Sequence, residues 1–198
     1  MTRRPIRTLP IVAALLGLAA LLPGCSTHAS VRMRSQTNGA VLSPGFSTTA
    51  YTFSDENTVD LYLTDIPADA FQTPPDPSAD PPAGQILHIH MFIRPSPGKT
   101  PIEPQAANCS IRHLVLADGA TGVYGGGGFL LPSSSAKSGT FSGTISEGTL
   151  RLQAATPNFN DALGPSNLRA NFRIHEDRDL ANLIARRFEE WIPRSGSE

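Results

Sequence analysis

The chain has only two cysteines in 198 residues, Cys25 and Cys109, so no disulfide framework staples it and no cysteine cluster can hold a metal. Aromatic residues are sparse, at 7% with Trp191 the single tryptophan, and the charges nearly cancel at a formal net of −1. Composition therefore gives no sign of the basic excess that displaces counterions from phosphate, which argues against a nucleic-acid partner. Long apolar runs are missing too. A membrane-spanning helix needs ~20 apolar residues, and the stretch from Ile11 to Leu22 has twelve. Catalytic signatures are equally scarce. There is no GxSxG elbow and no GxGxxG. Gly98-Lys99-Thr100 has the end of a phosphate-binding loop, but Ile93 stands where its first glycine is required.

What is present begins with Arg3, Arg4 and Arg7, followed by the apolar stretch and then Leu22-Pro23-Gly24-Cys25. A positive segment, a short apolar core and small residues form the outline of an export signal. The last four residues resemble the lipobox of bacterial lipoproteins. Pro23 is a less usual choice at the middle position. That resemblance covers residues 1–25 alone, and it implies lipidation of Cys25, removal of residues 1–24 and a membrane anchor made of acyl chains. Each buried CH₂ of such a chain contributes about 0.8 kcal/mol, so two or three chains anchor firmly where one would not. Ser26, rather than aspartate, follows the cysteine. In lipoproteins this implies the outer membrane.

Removing the leader takes three arginines and no acidic residue, so a mature chain of 174 residues carries thirteen basic against seventeen acidic residues, a net of −4. With Cys25 lipidated, Cys109 has no partner within the chain and is expected to be buried as a small hydrophobe. Residues 25–44 are rich in Ser, Thr, Asn and Gly and read as a flexible lipidated tether, with the folded domain over 45–198.

Within that domain apolar residues alternate at a period of two, the mark of strands. Val59, Leu61 and Leu63 alternate with Asp60, Tyr62 and Thr64. Leu87, Ile89, Met91 and Ile93 define one face of a second segment, and Ile86, His88, His90 and Phe92 the other, which suits a strand covered on both sides. Ile111 to Ala117 and the alternation through Leu168, Ala170, Phe172 and Ile174 predict two more. Phe141 to Ile145 and Leu150 to Ala154 read as the arms of a hairpin turning at Ser146-Glu147-Gly148. At the C-terminus Leu180, Leu183, Ile184, Phe188 and Trp191 recur at three and four, predicting an amphipathic helix over 177–192, with Asp177 and Asp179 at its positive end and Pro193 ending it.

Two proline-rich connections, Pro67 to Gly84 and Pro95 to Pro104, should exclude regular structure. The first is long enough to serve as a partner-binding loop. The glycine run Gly125 to Gly128 reads as a flexible loop or bulged turn.

The residues that could carry chemistry are few. His88 and His90 are two apart on a strand, so both leave the same face within reach of one cation, and neutral imidazoles suit zinc or copper. A third donor is needed, and His113 or His175 would serve if their strands are neighbours. Histidines so placed are more commonly satisfied by hydrogen bonds, so the pair is a candidate metal site and no more. No cofactor other than a metal ion is indicated.

The expected fold is an antiparallel β-sandwich of seven or eight strands with the C-terminal helix packed on it; a small β-barrel with a lid helix fits the same alternation. The expected function is that of a membrane-anchored cell-envelope lipoprotein, a non-enzymatic binding or structural module whose partner is an envelope protein, a glycan or a small ligand. The alternative is a periplasmic metal-binding protein using His88 and His90.

Overall fold

The computed structural model describes residues 28–73, 80–95, 106–117, 119–134 and 138–193. The leader, Cys25, residues 74–79 of the first proline-rich connection and nearly all of the second lie outside these residues. The described chain forms β1 (His28–Ser35), β2 (Val41–Leu42), β3 (Thr48–Phe53), β4 (Val59–Thr64), helix α1 (Ala68–Gln72) and β5 (Gly84–Met91). Then follow β6 (Cys109–Ala117), β7 (Ala120–Pro132), β8 (Thr140–Ala155), β9 (Ser166–His175) and helix α2 (Arg178–Trp191). Every strand pairs antiparallel with its neighbours in one nine-stranded sheet of order β2-β1-β9-β8-β7-β6-β5-β4-β3, curled into a half-barrel. The mainly antiparallel β class and the packed C-terminal helix match expectation, and the strands number nine rather than seven or eight. Among the described residues no helix is long and apolar enough to cross a membrane.

The curl originates in stretches whose composition predicts a loop and a turn. Gly125 to Gly128 lie inside β7, a strand flanked on both sides, rather than in a loop. The reason is steric: a Cβ on Gly126 would sit 1.7 Å from the carbonyl oxygen of Thr149 on β8, so only glycine permits this approach. The predicted hairpin at 146–148 is likewise replaced, because β8 runs unbroken through it. Ser146 and Glu147 together oppose the single residue Phe129 on β7 and the single residue Arg169 on β9, a bulge crossing the sheet. The extra residue switches the parity of the strand, so that Phe141 and Ile145 point inward before it and Gly148 and Leu150 after it. Bulges bend and twist a strand strongly. Here the bend carries edge strand β3 round to the end of β9, where Tyr51 bridges Glu176 and its carbonyl accepts from Asp177 N at 3.2 Å.

Two further expectations are corrected. Half of the 25–44 segment expected as a tether forms β1 and β2, and β1 pairs with β9 over eight consecutive residues. Its inward residues are modest, Val31, Met33 and Ser35, which is why the polar outer positions masked the alternation. The first proline-rich connection opens with α1. Pro67 precedes that helix, where the missing N–H costs nothing, and Phe71 is fully buried against Trp191 at 5.9 Å between centroids.

Two apolar layers result. Inside the curl lie Met33, Leu61, Leu87, Ile89, Phe141 and Phe172 among others. On the outer face of the sheet Ala50, Tyr62, Ile86 and Leu114 pack beneath Ala181, Ile184 and Phe188 of α2. Fully burying each large apolar side chain contributes roughly 1.5–3 kcal/mol, so α2 is held by its stripe rather than by helix propensity. Asp177 caps α2, its Oδ1 accepting from Leu180 N at 2.9 Å. The sheet is thus covered on the outside where β4, β5 and β6 lie, and the candidate residues sit at the edge of that cover.

Candidate functional site

Strands β4 and β5 are sequential and antiparallel, and their ladder sets Asp60 opposite His90 and Tyr62 opposite His88. Leu61, Leu63, Leu87 and Ile89 fill the interior of the curl, so period-two alternation sends Asp60, His88 and His90 to the outer face. There they converge. Asp60 Oδ1 accepts a hydrogen bond from His88 Nε2 and another from His90 Nδ1, each at 2.8 Å. One donor atom from each of the three residues lies within 4.8 Å of the others, and this is the grouping with metal-ligand geometry among the described residues.

The His88 ring is not free to swing. His88 stacks on Tyr62, 4.6 Å between centroids and 5° between planes, and meets Phe188 of α2 edge-on at 5.8 Å. His90 is 35% exposed, Asp60 20% and His88 14%, so an ion can reach the group from solvent while one ring is fixed by packing. Burial works to raise the Asp60 carboxyl, yet hydrogen bonds from and charges on His88 and His90 outweigh it and hold the carboxyl below its ordinary value. The carboxylate is therefore ionised at neutral pH. Burial first, then the negative charges of Asp60 and Glu189, keep the Tyr62 phenol neutral by pushing it up.

No known family, curated protein or solved structure matches this chain. The chemistry must therefore be read from the residues themselves.

One positive charge stands close. Arg112 on β6 pairs with His88 in the β5–β6 ladder, and its guanidinium lies 4.7 Å over the Phe188 ring while donating to Glu189 at 2.5 Å. Glu189 offsets a charge that would otherwise oppose a cation. The group can thus offer two imidazole nitrogens and one carboxylate oxygen to a divalent ion, leaving further positions open.

The structure brings His88 and His90 together as their spacing predicts, and supplies the third donor from an unexpected residue. His113 is opposite Leu87 in the ladder and faces the interior, while His175 pairs with Thr140 on β8, so neither joins the site. Asp60 was visible as an outward residue of its strand, and sequential antiparallel strands are commonly neighbours. What the sequence withholds is the register that aligns it with His90. Cys109 is fully buried, its thiol donating to the Gly128 carbonyl at 3.1 Å and pushed up to about 12 by burial.

Proposed function

We propose that this chain is a lipid-anchored, non-enzymatic envelope protein whose outer sheet face binds a zinc or copper ion through Asp60 Oδ1, His88 Nε2 and His90 Nδ1. The observation that carries this reading is the convergence of one donor atom each from Asp60, His88 and His90 within 4.8 Å on two paired strands. Coordination would use the lone pairs of His88 Nε2 and His90 Nδ1, so the protons these atoms now share with Asp60 would leave them, to the other ring nitrogen of a neutral imidazole or to solvent from an imidazolium. Two imidazoles and a carboxylate suit a borderline cation, and the half-exposed edge leaves a coordination position for water or an exogenous ligand.

The anchor rests on Leu22 to Cys25. It is supported by the charge of the domain surface that begins three residues later. Arg32, Arg34, Arg169 and Arg173 all project from the outer face of β1 and β9, and Arg32 stands directly opposite Arg169. Like charges so placed destabilise a ladder. An anionic membrane surface at that face would offset the repulsion. For the fold, we read the curl as an incomplete barrel with α2 as its outer cover, supported by the continuous strand order and the bridge from Tyr51 to Glu176.

The test is elemental analysis and calorimetry on protein lacking residues 1–25, expressed with zinc or copper supplied. The expectation is one ion per chain, with affinity lowered at least about a hundredfold in His88→Ala and His90→Ala. Metal-free protein that takes up no zinc or copper, or His variants that bind as the parent does, would sink the reading.

A further inference from the structure

On the opposite face of the sheet from Asp60, the open end of the curl holds a second feature that the metal site does not use. The cavity there has a volume of about 350 Å³, within the range of sites that bury small organic ligands. Leu42, Val115, Phe159 and Leu163 give it apolar walls, and Gln85 and His113 supply polar atoms.

Its wall is built rather than incidental. The segment between β8 and β9 is strapped across the mouth by Asp161, whose Oδ1 accepts from the Tyr124 hydroxyl at 2.5 Å and from Gly164 N at 2.7 Å. Phe159 from the same segment lies against Gly122 of β7 so closely that a Cβ there would fall 2.2 Å from the ring. Glycine at 122 is what lets this aromatic ring line the cavity.

His113 is the unusual member. It has no solvent exposure, and its ring stacks on Tyr124 at 5.9 Å. Its Nε2 donates to Gln85 Oε1 at 3.0 Å, which leaves Nδ1 as the bare acceptor, and Nδ1 has no hydrogen-bond partner among the described residues. A buried acceptor without a donor is costly, and such atoms are rare enough to need an explanation. His113 is one of the residues that line the cavity, and a ligand O–H or N–H that reached Nδ1 from there would supply the missing donor.

We infer that this cavity is a binding site for a small, neutral, largely apolar molecule carrying a single hydroxyl or N–H, which donates to Nδ1 of His113. A charged ligand is disfavoured, because among the described residues no ionised side chain lines the cavity to meet it. The site is independent of the metal, since Gln85 and His113 face the interior while His88 and His90 face outward.

The probes are 2-naphthol and naphthalene, matched in shape and differing in one donor, titrated into the purified full chain. The readout is the methyl NMR shifts of Val115, Ala120 and Leu163. Both are expected to shift these methyls saturably, with 2-naphthol binding about tenfold tighter. His113→Phe keeps an aromatic ring and removes the acceptor, so the advantage of 2-naphthol should vanish. Ala162→Trp alters an exposed lining residue and should abolish binding of both probes while leaving the circular dichroism spectrum unchanged. Absence of saturable shifts at these methyls, an undiminished preference in His113→Phe, or unchanged binding in Ala162→Trp would each overturn the inference. Zinc uptake by Ala162→Trp should equal that of the parent, so failure here and failure of the metal reading are separable.

Discussion

Asp60 stands directly across from His90 in the β4–β5 ladder, and its Oδ1 accepts hydrogen bonds from both His90 and His88 at 2.8 Å. Because the carboxylate is charged and held by two strand-fixed rings, its charge should dominate cation affinity. Asp60→Asn preserves the shape and removes that charge, so zinc affinity should fall by about tenfold or more. Arg112 and Glu189 act in the opposite senses from the rim. Through high-dielectric surroundings a neighbouring unit charge contributes on the order of 1 kcal/mol or less. Arg112→Gln should raise the affinity severalfold and Glu189→Gln should lower it, both effects shrinking in high salt. Calorimetry at two ionic strengths decides this. Affinities that ignore both substitutions would place the ion elsewhere.

The glycine run gives a sharper test of the fold. A methyl at Gly126 meets the Thr149 carbonyl oxygen at 1.7 Å, whereas at Gly127 it meets the Cys109 carbonyl oxygen at 3.2 Å and at Gly45 it meets nothing within 4 Å. Overpacking typically costs ~1–3 kcal/mol and more when backbone must move. Gly126→Ala should therefore fall at or beyond the top of that range, Gly127→Ala well below it, and Gly45→Ala near zero. Chemical denaturation ranks them, and an equal loss at 126 and 127 would mean that β7 and β8 are not this close.

How much of this architecture the sequence reveals depends on whether a strand displays alternation. Strands β4, β5, β6 and β9 carry aliphatic residues at every second position, and α2 carries them at three and four, so all five are legible. β3 is not, because Ala50 and Tyr51 are adjacent yet both fully buried, one under α2 and the other inside the curl. In β7 the residues with least strand preference occupy the strand's middle, since the need for close backbone approach outweighs propensity. The bulge at Ser146-Glu147 imitates a turn because a parity switch flanked by polar residues and glycine looks the same in either case. His88 and His90 are found from one strand alone, whereas Asp60 belongs to the site only through register between two strands.

Cys109 should behave as an inert thiol. Its sulfur is buried, donates to the Gly128 carbonyl and has its ionisation pushed up to about 12, so almost no thiolate exists at neutral pH. A disulfide reagent should leave native protein unmodified for hours and titrate one thiol in protein lacking residues 1–25 once guanidinium unfolds it. Rapid labelling of the native form would contradict the burial of β6 against β7.

The arginine face of β1 and β9 gives the proposed membrane anchor a test on the folded domain. If Arg32 and Arg169 meet anionic headgroups, protein starting at Ser26 should sediment with vesicles containing phosphatidylglycerol and not with phosphatidylcholine alone. Each basic side chain near such a surface contributes about 1 kcal/mol, so Arg32→Gln with Arg169→Gln should weaken binding at least tenfold at low salt. The same double variant should be slightly more stable in solution, because it removes a directly opposed like-charge pair. Unchanged vesicle binding would leave the face without this role.

His113 makes the stability of the fold sensitive to acid in a defined window. Burial without a compensating charge lowers its folded value from the ordinary 6.5 to about 4. Gln85, which accepts from its Nε2, is neutral, and Tyr124, stacked on the ring, is kept neutral by burial and by Asp161. Below about pH 6.5 the unfolded chain takes up a proton that folded His113 refuses, so the unfolded state binds more protons and stability falls as pH drops. The loss grows until the folded group also titrates near 4 and then levels off for this residue. At about 1.4 kcal/mol per unit the full penalty is on the order of 3 kcal/mol. Carboxylates add their own acid dependence, so the informative quantity is the difference between the parent and His113→Gln. Urea denaturation at pH 7.5, 6, 5 and 4.5 should show that difference shifting in favour of the variant by roughly 1.4 kcal/mol per unit below pH 6. A difference that stays constant across the series would mean that His113 titrates alike in both states.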